Sequence, residues 1–331
     1  MSSILPQKTP NTLNDLARLQ SWQQAMPDFE VWQSDMLDNS AIQDYLSCYG
    51  LDHCVQNSRL SYQAGYRTIN SERIFHQCFK QNNPQAELVM VVHGYTDHAG
   101  LFIKVIKHLI ERGYSVCIAD FVGHGLSSGE RATTNNFDCY RAILNNSILF
   151  FQELTKQPLH IVAQSLGGAI TMHWLLVDKP EAFSLRNIVL LAPLVRPRAW
   201  LQANWSYRFL SKVVDSIPRN FSRNSEDEAF VDFLQYGDPV QHHRLPAEWV
   251  GSLIAWVKEF EELPNNEFPL TIIQGDNDET VDAEFNTQHI QAKFPNSTLY
   301  MVVGAGHHLA GESARLQEYI FSYLDAGLQR S

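Results

Sequence analysis

The sequence predicts an α/β fold in which helices cover both faces of a mostly parallel sheet. Three observations carry that expectation. Apolar runs of strand length alternate with helix-length stretches from residue 87 to 191, a rhythm that implies βαβ crossovers. One of these runs, Leu159-His160-Ile161-Val162, passes through Ala163-Gln164-Ser165-Leu166-Gly167-Gly168 directly into a helical stretch. That strand, sharp turn and helix is the context in which a serine is lifted out of the backbone. Two further runs, Leu270 to Gln274 and Leu299 to Val303, end in the turns Gly275-Asp276-Asn277-Asp278 and Gly304-Ala305-Gly306-His307-His308. A serine, a carboxylate and a histidine thus each follow the C-terminal end of a strand, where open α/β sheets place their sites.

Along the chain, residues 1–59 read as an N-terminal helical extension. Helical patterns cover Thr12 to Met26 and Ser40 to Tyr49, with Leu13, Leu16, Leu19 and Trp22 spaced to form one apolar face. Two strand-like runs, Ser61 to Arg67 and Arg73 to Phe79, flank Thr68 to Glu72 and suit a hairpin. The alternation then runs through a strand at Glu87 to Val92, a helix near Gly100 to Arg112, a strand at Ser115 to Ala119, a helix near Asn136 to Leu154, the serine strand, and a strand at Ile188 to Leu191. Residues 60–193 are read as the first part of the core and 269–331 as the second, closed by helices at Phe285 to Phe294 and Gly311 to Leu328. Between them, 194–268 is rich in aromatics, including Trp200, Trp205, Trp249 and Trp256, interleaved with arginines. It is expected to be a helical cap over the C-terminal edge of the sheet.

A chain of 331 residues with 44% hydrophobic content can bury a large core, and 18% charged residues argues against disorder. The net charge of −11 leaves no broad basic surface to neutralise phosphates, so nucleic acid is not an expected partner. The first twenty residues have no apolar stretch of signal-peptide length, and no apolar run approaches the roughly 20 residues needed to span a bilayer. Five scattered cysteines without a C-x-x-C pair signal neither a disulfide framework nor a zinc site. The expected compartment is the reducing cytoplasm, with peripheral membrane contact through the cap left open.

A serine hydroxyl is a poor nucleophile unless a base lies within hydrogen-bond reach and a third group orients that base. The assignment is Ser165 as nucleophile, His307 as general base and then acid, and Asp278 as the orienting carboxylate. His308 and Asp276 are the competitors; His307 is preferred because it directly follows the glycine-rich strand end. The oxyanion formed on attack needs aimed N–H groups. Leu166, at the start of the helix, supplies one, and Tyr95 supplies the other from the loop His93-Gly94-Tyr95-Thr96-Asp97-His98, where Gly94 permits an unusual backbone conformation. His93, Asp97 and His98 lack the spacing of a zinc-protease motif, so no metal is expected. Gly123-His124-Gly125-Leu126-Ser127-Ser128-Gly129 has no G-K-[ST] end and reads as a tight turn after Asp120, close to the rim of the site, not as a phosphate loop.

These motifs resemble the α/β-hydrolase superfamily, and within it the monoacylglycerol lipase and lysophospholipase-like group of serine hydrolases. The likeness spans roughly residues 60–331 and rests on the 93–98 loop, the serine elbow, both C-terminal turns and Ala119 to Arg131, whose G-H-G-x-S-x-G-x-R string is the most discriminating. The resemblance implies an eight-stranded sheet, a cap inserted after the sixth strand, ester hydrolysis without a cofactor, and the same triad and oxyanion donors. The chain departs from the pattern where Ala163 replaces the first glycine of the elbow. It departs again at Tyr95, which is bulkier than the small residue often found there and is expected to narrow the acyl entrance.

The leading expectation is therefore a hydrolase of monoacyl-lipid esters, monoacylglycerol or lysophospholipid, because burying an acyl chain yields roughly 0.8 kcal/mol per methylene and needs an apolar wall. The alternative is a proline iminopeptidase-like serine aminopeptidase, for which Glu226, Asp227 and Glu228 would hold a substrate ammonium. A ligand-binding protein on the same fold is the non-enzymatic reading.

Overall fold

A computed structural model describes residues 13–29, 36–56, 60–178, 184–198, 200, 207, 214–219 and 224–329. Three helices come first: α1 (Leu13–Ala25), α2 (Ser40–Cys48) and α3 (Asp52–Val55). Trp22 is fully buried and Leu19 partly, but Leu16 is 45% exposed, which corrects the expected single apolar face; Leu13's side chain lies outside the described set. Six residues at 3.6 per turn put Leu16 about 120° round the helix from Trp22. Trp22 Nε1–H and the Arg18 guanidinium both donate to Asp44 on α2, which fixes the face turned inward.

β1 (Leu60–Ile69) and β2 (Glu72–Gln81) pair in antiparallel fashion. The hairpin is tighter than the sequence suggested. Only Asn70 and Ser71 connect the strands, both with left-handed φ (51° and 69°), the geometry that matches strand twist. β3 (Leu88–Val92), β4 (Ser115–Ala119), β5 (Leu159–Gln164) and β6 (Leu185–Leu191) follow, with α4 (Ile103–Glu111), α5 (Phe137–Thr155) and α6 (Leu166–Val177) as crossovers. After a short pair, β7 (Ser216–Pro218) and β8 (Arg244–Pro246), the sheet is completed by β9 (Leu270–Gly275) and β10 (Thr298–Val302). Its eight strands run in the order β1-β2-β4-β3-β5-β6-β9-β10, parallel from β4 onward.

Every residue of β3, β4, β5 and β9 is buried, as expected where helices cover both faces, and this explains why apolar residues dominate both faces of these strands. Alternation then sorts side chains: Val89 and Val91 face a cluster built with α1, α2, α4 and α10 (Ala314–Leu328), whereas Leu88, Met90 and Val92 face one built with α5, α6, α8 (Ala247–Glu262) and α9 (Ala283–Lys293).

The segment between β6 and β9 is not purely helical. It contains the antiparallel β7–β8 pair, the short α7 (Glu228–Asp232) running into a widened turn at Phe233–Gly237, and α8. Part of its aromatic content is core packing: Trp256 stacks on Phe137 of α5 at 5.2 Å, and Phe260 is buried beside it. Trp205, Phe209 and Phe221 lie outside the described residues. No helix among the described residues is long and apolar enough to cross a membrane.

Candidate active site

Ser165 stands between β5 and α6 with φ 52° and ψ −113°, a strained conformation for a residue with a Cβ. The close approach that forces it is visible at Gly167, where a Cβ would meet the carbonyl oxygens of Val92 and His93, and at Gly168, where it would meet Pro193. Ala163, fully buried, fills the remaining small position.

The structure brings Ser165, His307 and Asp278 together. Ser165 Oγ lies 2.9 Å from His307 Nε2, and His307 Nδ1–H donates to Asp278 Oδ2 at 2.8 Å. Asp278 also accepts from Gln274 Nε2 at 2.9 Å and, on its other oxygen, from the Thr280 and Val281 amides at 2.8 and 2.9 Å. Burial pushes the Asp278 carboxyl up, but the His307 imidazole and the two amides outweigh it and hold it below the usual carboxylate range. The competing residues sit elsewhere. Asp276, exposed, accepts the Gly304 amide at 2.6 Å. His308 places Nε2 3.3 Å from Asp97 Oδ2 without hydrogen-bond alignment.

The 93–98 loop passes directly over Ser165, since a Cβ on Gly94 would lie 3.3 Å from Ser165 Cβ and 2.6 Å from Asp97 Oδ2. Gly94 is thus needed for space. The left-handed residue in this loop is Thr96 (φ 63°), which corrects the expectation of an unusual backbone at Gly94. Among the described residues, neither the Tyr95 nor the Leu166 amide donates to another protein group, so both are free to receive a ligand oxygen. His93 is locked: Nδ1–H donates to the Gly94 carbonyl and Nε2 accepts the Phe121 amide, and burial pushes its pKa down. The Gly123 to Gly129 turn packs against the 93–98 loop, with the His124 ring 5.7 Å from that of Tyr95 and 5.4 Å from that of His93. Asp120 there accepts the Ala99 and Leu126 amides at 2.7 and 2.9 Å and so braces the loop.

A cavity of about 670 Å³ opens at Ser165 and His307. Leu194, Leu245, Trp249, Val250 and Leu253 form its apolar wall, with Asp97, His308, Asn224 and Arg219 at a polar pole. Tyr95 lines it, stacked on Trp249 at 3.6 Å, with its hydroxyl donating to the Ala132 carbonyl.

Sequence reasoning missed two supports. Gln164, the residue before the serine, donates to the His307 carbonyl at 2.8 Å and accepts the Ala310 amide at 3.3 Å. Glu312, fully buried, accepts the Gly306 amide at 2.8 Å and the Glu226 amide at 2.9 Å, tying the histidine turn to the inserted segment. Neither has a sequence signal, because each reaches a backbone group, and a backbone group is the same whatever side chain its residue carries.

Comparison with known proteins agrees with this architecture. The chain is 24% identical to the monoglyceride lipase of Homo sapiens over 76% of this chain and 85% of that one. It is 23% identical to a monoglyceride lipase homolog of Monkeypox virus, covering 78% and 94%. Among solved structures, Paleococcus ferrophilus monoacylglycerol lipase superposes with a TM-score of 0.65 at 19% identity, over 78% of this chain and 99% of that one. A soluble variant of monoglyceride lipase from Saccharomyces cerevisiae, in complex with a substrate analog, gives 0.69 at 15%, over 83% and 96%. The family model described as serine aminopeptidase, S33, matches residues 83–314, well over half of the sequence, and the chain therefore belongs to that family of α/β-hydrolases.

Proposed function

We propose that the protein is a serine hydrolase that cleaves the carboxylic ester of a monoacyl lipid through an acyl-enzyme on Ser165. The observation that carries the reading is the Ser165, His307 and Asp278 relay opening into a cavity with an aliphatic and aromatic wall. Ser165 Oγ attacks the ester carbonyl as His307 Nε2 takes its proton. Asp278 keeps the imidazole in the tautomer whose Nε2 can accept, and stabilises the imidazolium that forms. The Tyr95 and Leu166 amides receive the oxyanion, each contributing on the order of a hundredfold or more in rate. His307 then protonates the leaving alcohol, and water activated by the same imidazole hydrolyses the acyl-enzyme. No step requires a metal or an organic cofactor.

The acyl chain runs along Leu194, Leu245, Trp249 and Leu253, and the head group sits at the polar pole. The relatives named as monoglyceride lipases support this substrate class. We read the segment 194–268 as the cap that walls the cavity, with peripheral contact at a lipid surface through that cap, and residues 1–59 as an extension preceding the 60–193 and 269–331 core.

The family's description favours a second reading, an aminopeptidase. Two of the three carboxylates expected to serve it, Glu226, Asp227 and Glu228, are engaged elsewhere: Glu226 pairs with Arg315 at 2.8 Å, and Asp227 pairs with Lys104 at 2.7 Å. Asp97 does line the cavity, held beside His308. Hydrolysis of monoacylglycerols and p-nitrophenyl esters across acyl length, compared between wild type and Ser165→Ala, decides the matter. The expected result is serine-dependent turnover that rises with chain length. Cleavage of prolyl or leucyl anilides with esters left untouched would reverse the ranking.

A further inference from the structure

We infer that Tyr49, which caps the C-terminal end of α2 and lies outside the family match, is a positioning residue for this reaction: acting through Asp238 and His98, its hydroxyl fixes the 93–98 loop that presents the Tyr95 amide to Ser165. The inference rests on the serine-hydrolase reading above and gives the N-terminal segment a task within it.

Asp238 belongs to the segment inserted between β6 and β9, and its side chain is fully buried. Its Oδ1 accepts the Tyr49 hydroxyl at 2.8 Å and the Val240 amide at 3.1 Å, while Oδ2 lies 3.0 Å from His98 Nε2. The Gly100 amide donates to His98 Nδ1 at 3.2 Å, so the ring proton is on Nε2 and is donated to Asp238. Three segments far apart in sequence thus meet in one water-excluded node. Removing one donor leaves a buried carboxylate short of a partner, which is costly where the local dielectric is low.

The ring of Tyr49 adds a second constraint. It lies flat against the backbone at Gly100, where a Cβ would come within 2.6 to 2.8 Å of three of its carbons. It also meets His98 and Phe233 edge-on, with centroids 5.0 and 5.9 Å away. Replacing Tyr49 by Phe keeps these contacts and deletes only the hydroxyl.

The 93–98 loop carries neither helix nor strand, so its course is set by tertiary contacts, at its two ends and at Tyr95 through the Trp249 stack and the Ala132 carbonyl. His93 is fixed at one end by the Gly94 carbonyl and the Phe121 amide. His98 is fixed at the other by Asp238, and Tyr95, the oxyanion donor, lies between them. Oxyanion donors act only when correctly placed, and a displacement of about 1 Å loses roughly a hundredfold. Loosening one end therefore acts on turnover rather than on substrate affinity.

The test compares Tyr49→Phe, Asp238→Asn and the double variant with wild type, using ester kinetics, the rate of Ser165 labelling by a fluorophosphonate, and thermal melting. Tyr49→Phe is expected to lower kcat by about tenfold with KM within about twofold, and to slow labelling by the same factor. Asp238→Asn should reproduce the loss, and the double variant should be no worse than Asp238→Asn alone, because the two act through one node. A lower Tm with wild-type kcat and labelling would make Tyr49 a scaffold contact and overturn the inference. If Tyr49→Phe does not fold, wild-type kcat in Asp238→Asn has the same force. A wild type inert to esters and to the fluorophosphonate would instead sink the hydrolase reading, and this inference with it.

Discussion

Asp278→Asn isolates the step at which the relay orients its base. Four donors converge on this carboxylate: His307 Nδ1–H and Gln274 Nε2 on one oxygen, and the Thr280 and Val281 amides on the other. Asparagine offers a single acceptor oxygen. If that oxygen faces His307, the new NH₂ opposes the Thr280 and Val281 N–H groups, and the buried one, at Val281, costs about 1–3 kcal/mol when unsatisfied. The opposite orientation is therefore favoured, with the NH₂ facing His307. The imidazole must then present an unprotonated Nδ1 and carry its proton on Nε2. That nitrogen can donate to Ser165 Oγ but cannot take its proton. The expected loss is about 10⁴-fold in kcat, equivalent to about 5.4 kcal/mol, with KM changed no more than a few-fold. Steady-state hydrolysis of a p-nitrophenyl ester measures it, with circular dichroism to verify folding. Asp276→Asn is the control, expected within about threefold of wild type because, among the described residues, its carboxylate is exposed and serves the turn at Gly304. A loss below tenfold in Asp278→Asn, or an equal loss in Asp276→Asn, would refute the assignment.

Trp249→Ala should remove a wall of the cavity and the stack on Tyr95. It should destabilise the fold by about 3 kcal/mol and raise KM for long-chain esters while sparing short ones; a rise in KM independent of chain length would count against an acyl role for this wall. The pH dependence of stability offers a separate check. His76 is fully buried, with Nδ1–H donating to the Ile74 carbonyl and Nε2 accepting the Ser147 hydroxyl, and burial pushes its pKa down to about 3. The unfolded chain binds that proton near pH 6.5 and the native state refuses it, so stability falls as pH drops from about 6.5 towards 3, by about 1.4 kcal/mol per unit for this group. Urea unfolding at pH 7 and pH 5 should show a shallower fall in His76→Gln, and equal slopes would exclude His76 as the source.

The serine elbow was legible in the sequence because its demands are local. A buried strand, a helix start and small residues at 163 and 167 are written in consecutive positions, and the carbonyls of Val92 and His93 explain why Gly167 has no side chain. The core strands were legible for a similar reason, since strands covered on both faces are mostly apolar rather than alternating. The inserted segment was harder. Its aromatics read as one stripe, yet Trp256 packs into the core while Trp249 lines the cavity, and composition does not separate the two. The β7–β8 pair escaped because three-residue strands leave no periodicity to read.

Sequence alone determined which residue types stand at the C-terminal ends of the strands, and with them the reaction class the chain can support. Tertiary structure decided which neighbour takes each place: His307 rather than His308 against Ser165, and Asp278 rather than Asp276 against His307. It also decided how the site is held, through Gln164 on the His307 carbonyl, Glu312 on the Gly306 amide, and Tyr49 on Asp238. The physical reason is the reach of each kind of information. Periodicity tells whether a side chain points inward, but a buried hydrogen bond exists only once packing has brought its two residues into contact, whether they stand six positions apart, as Gly306 and Glu312, or more than a hundred, as Gln164 and His307.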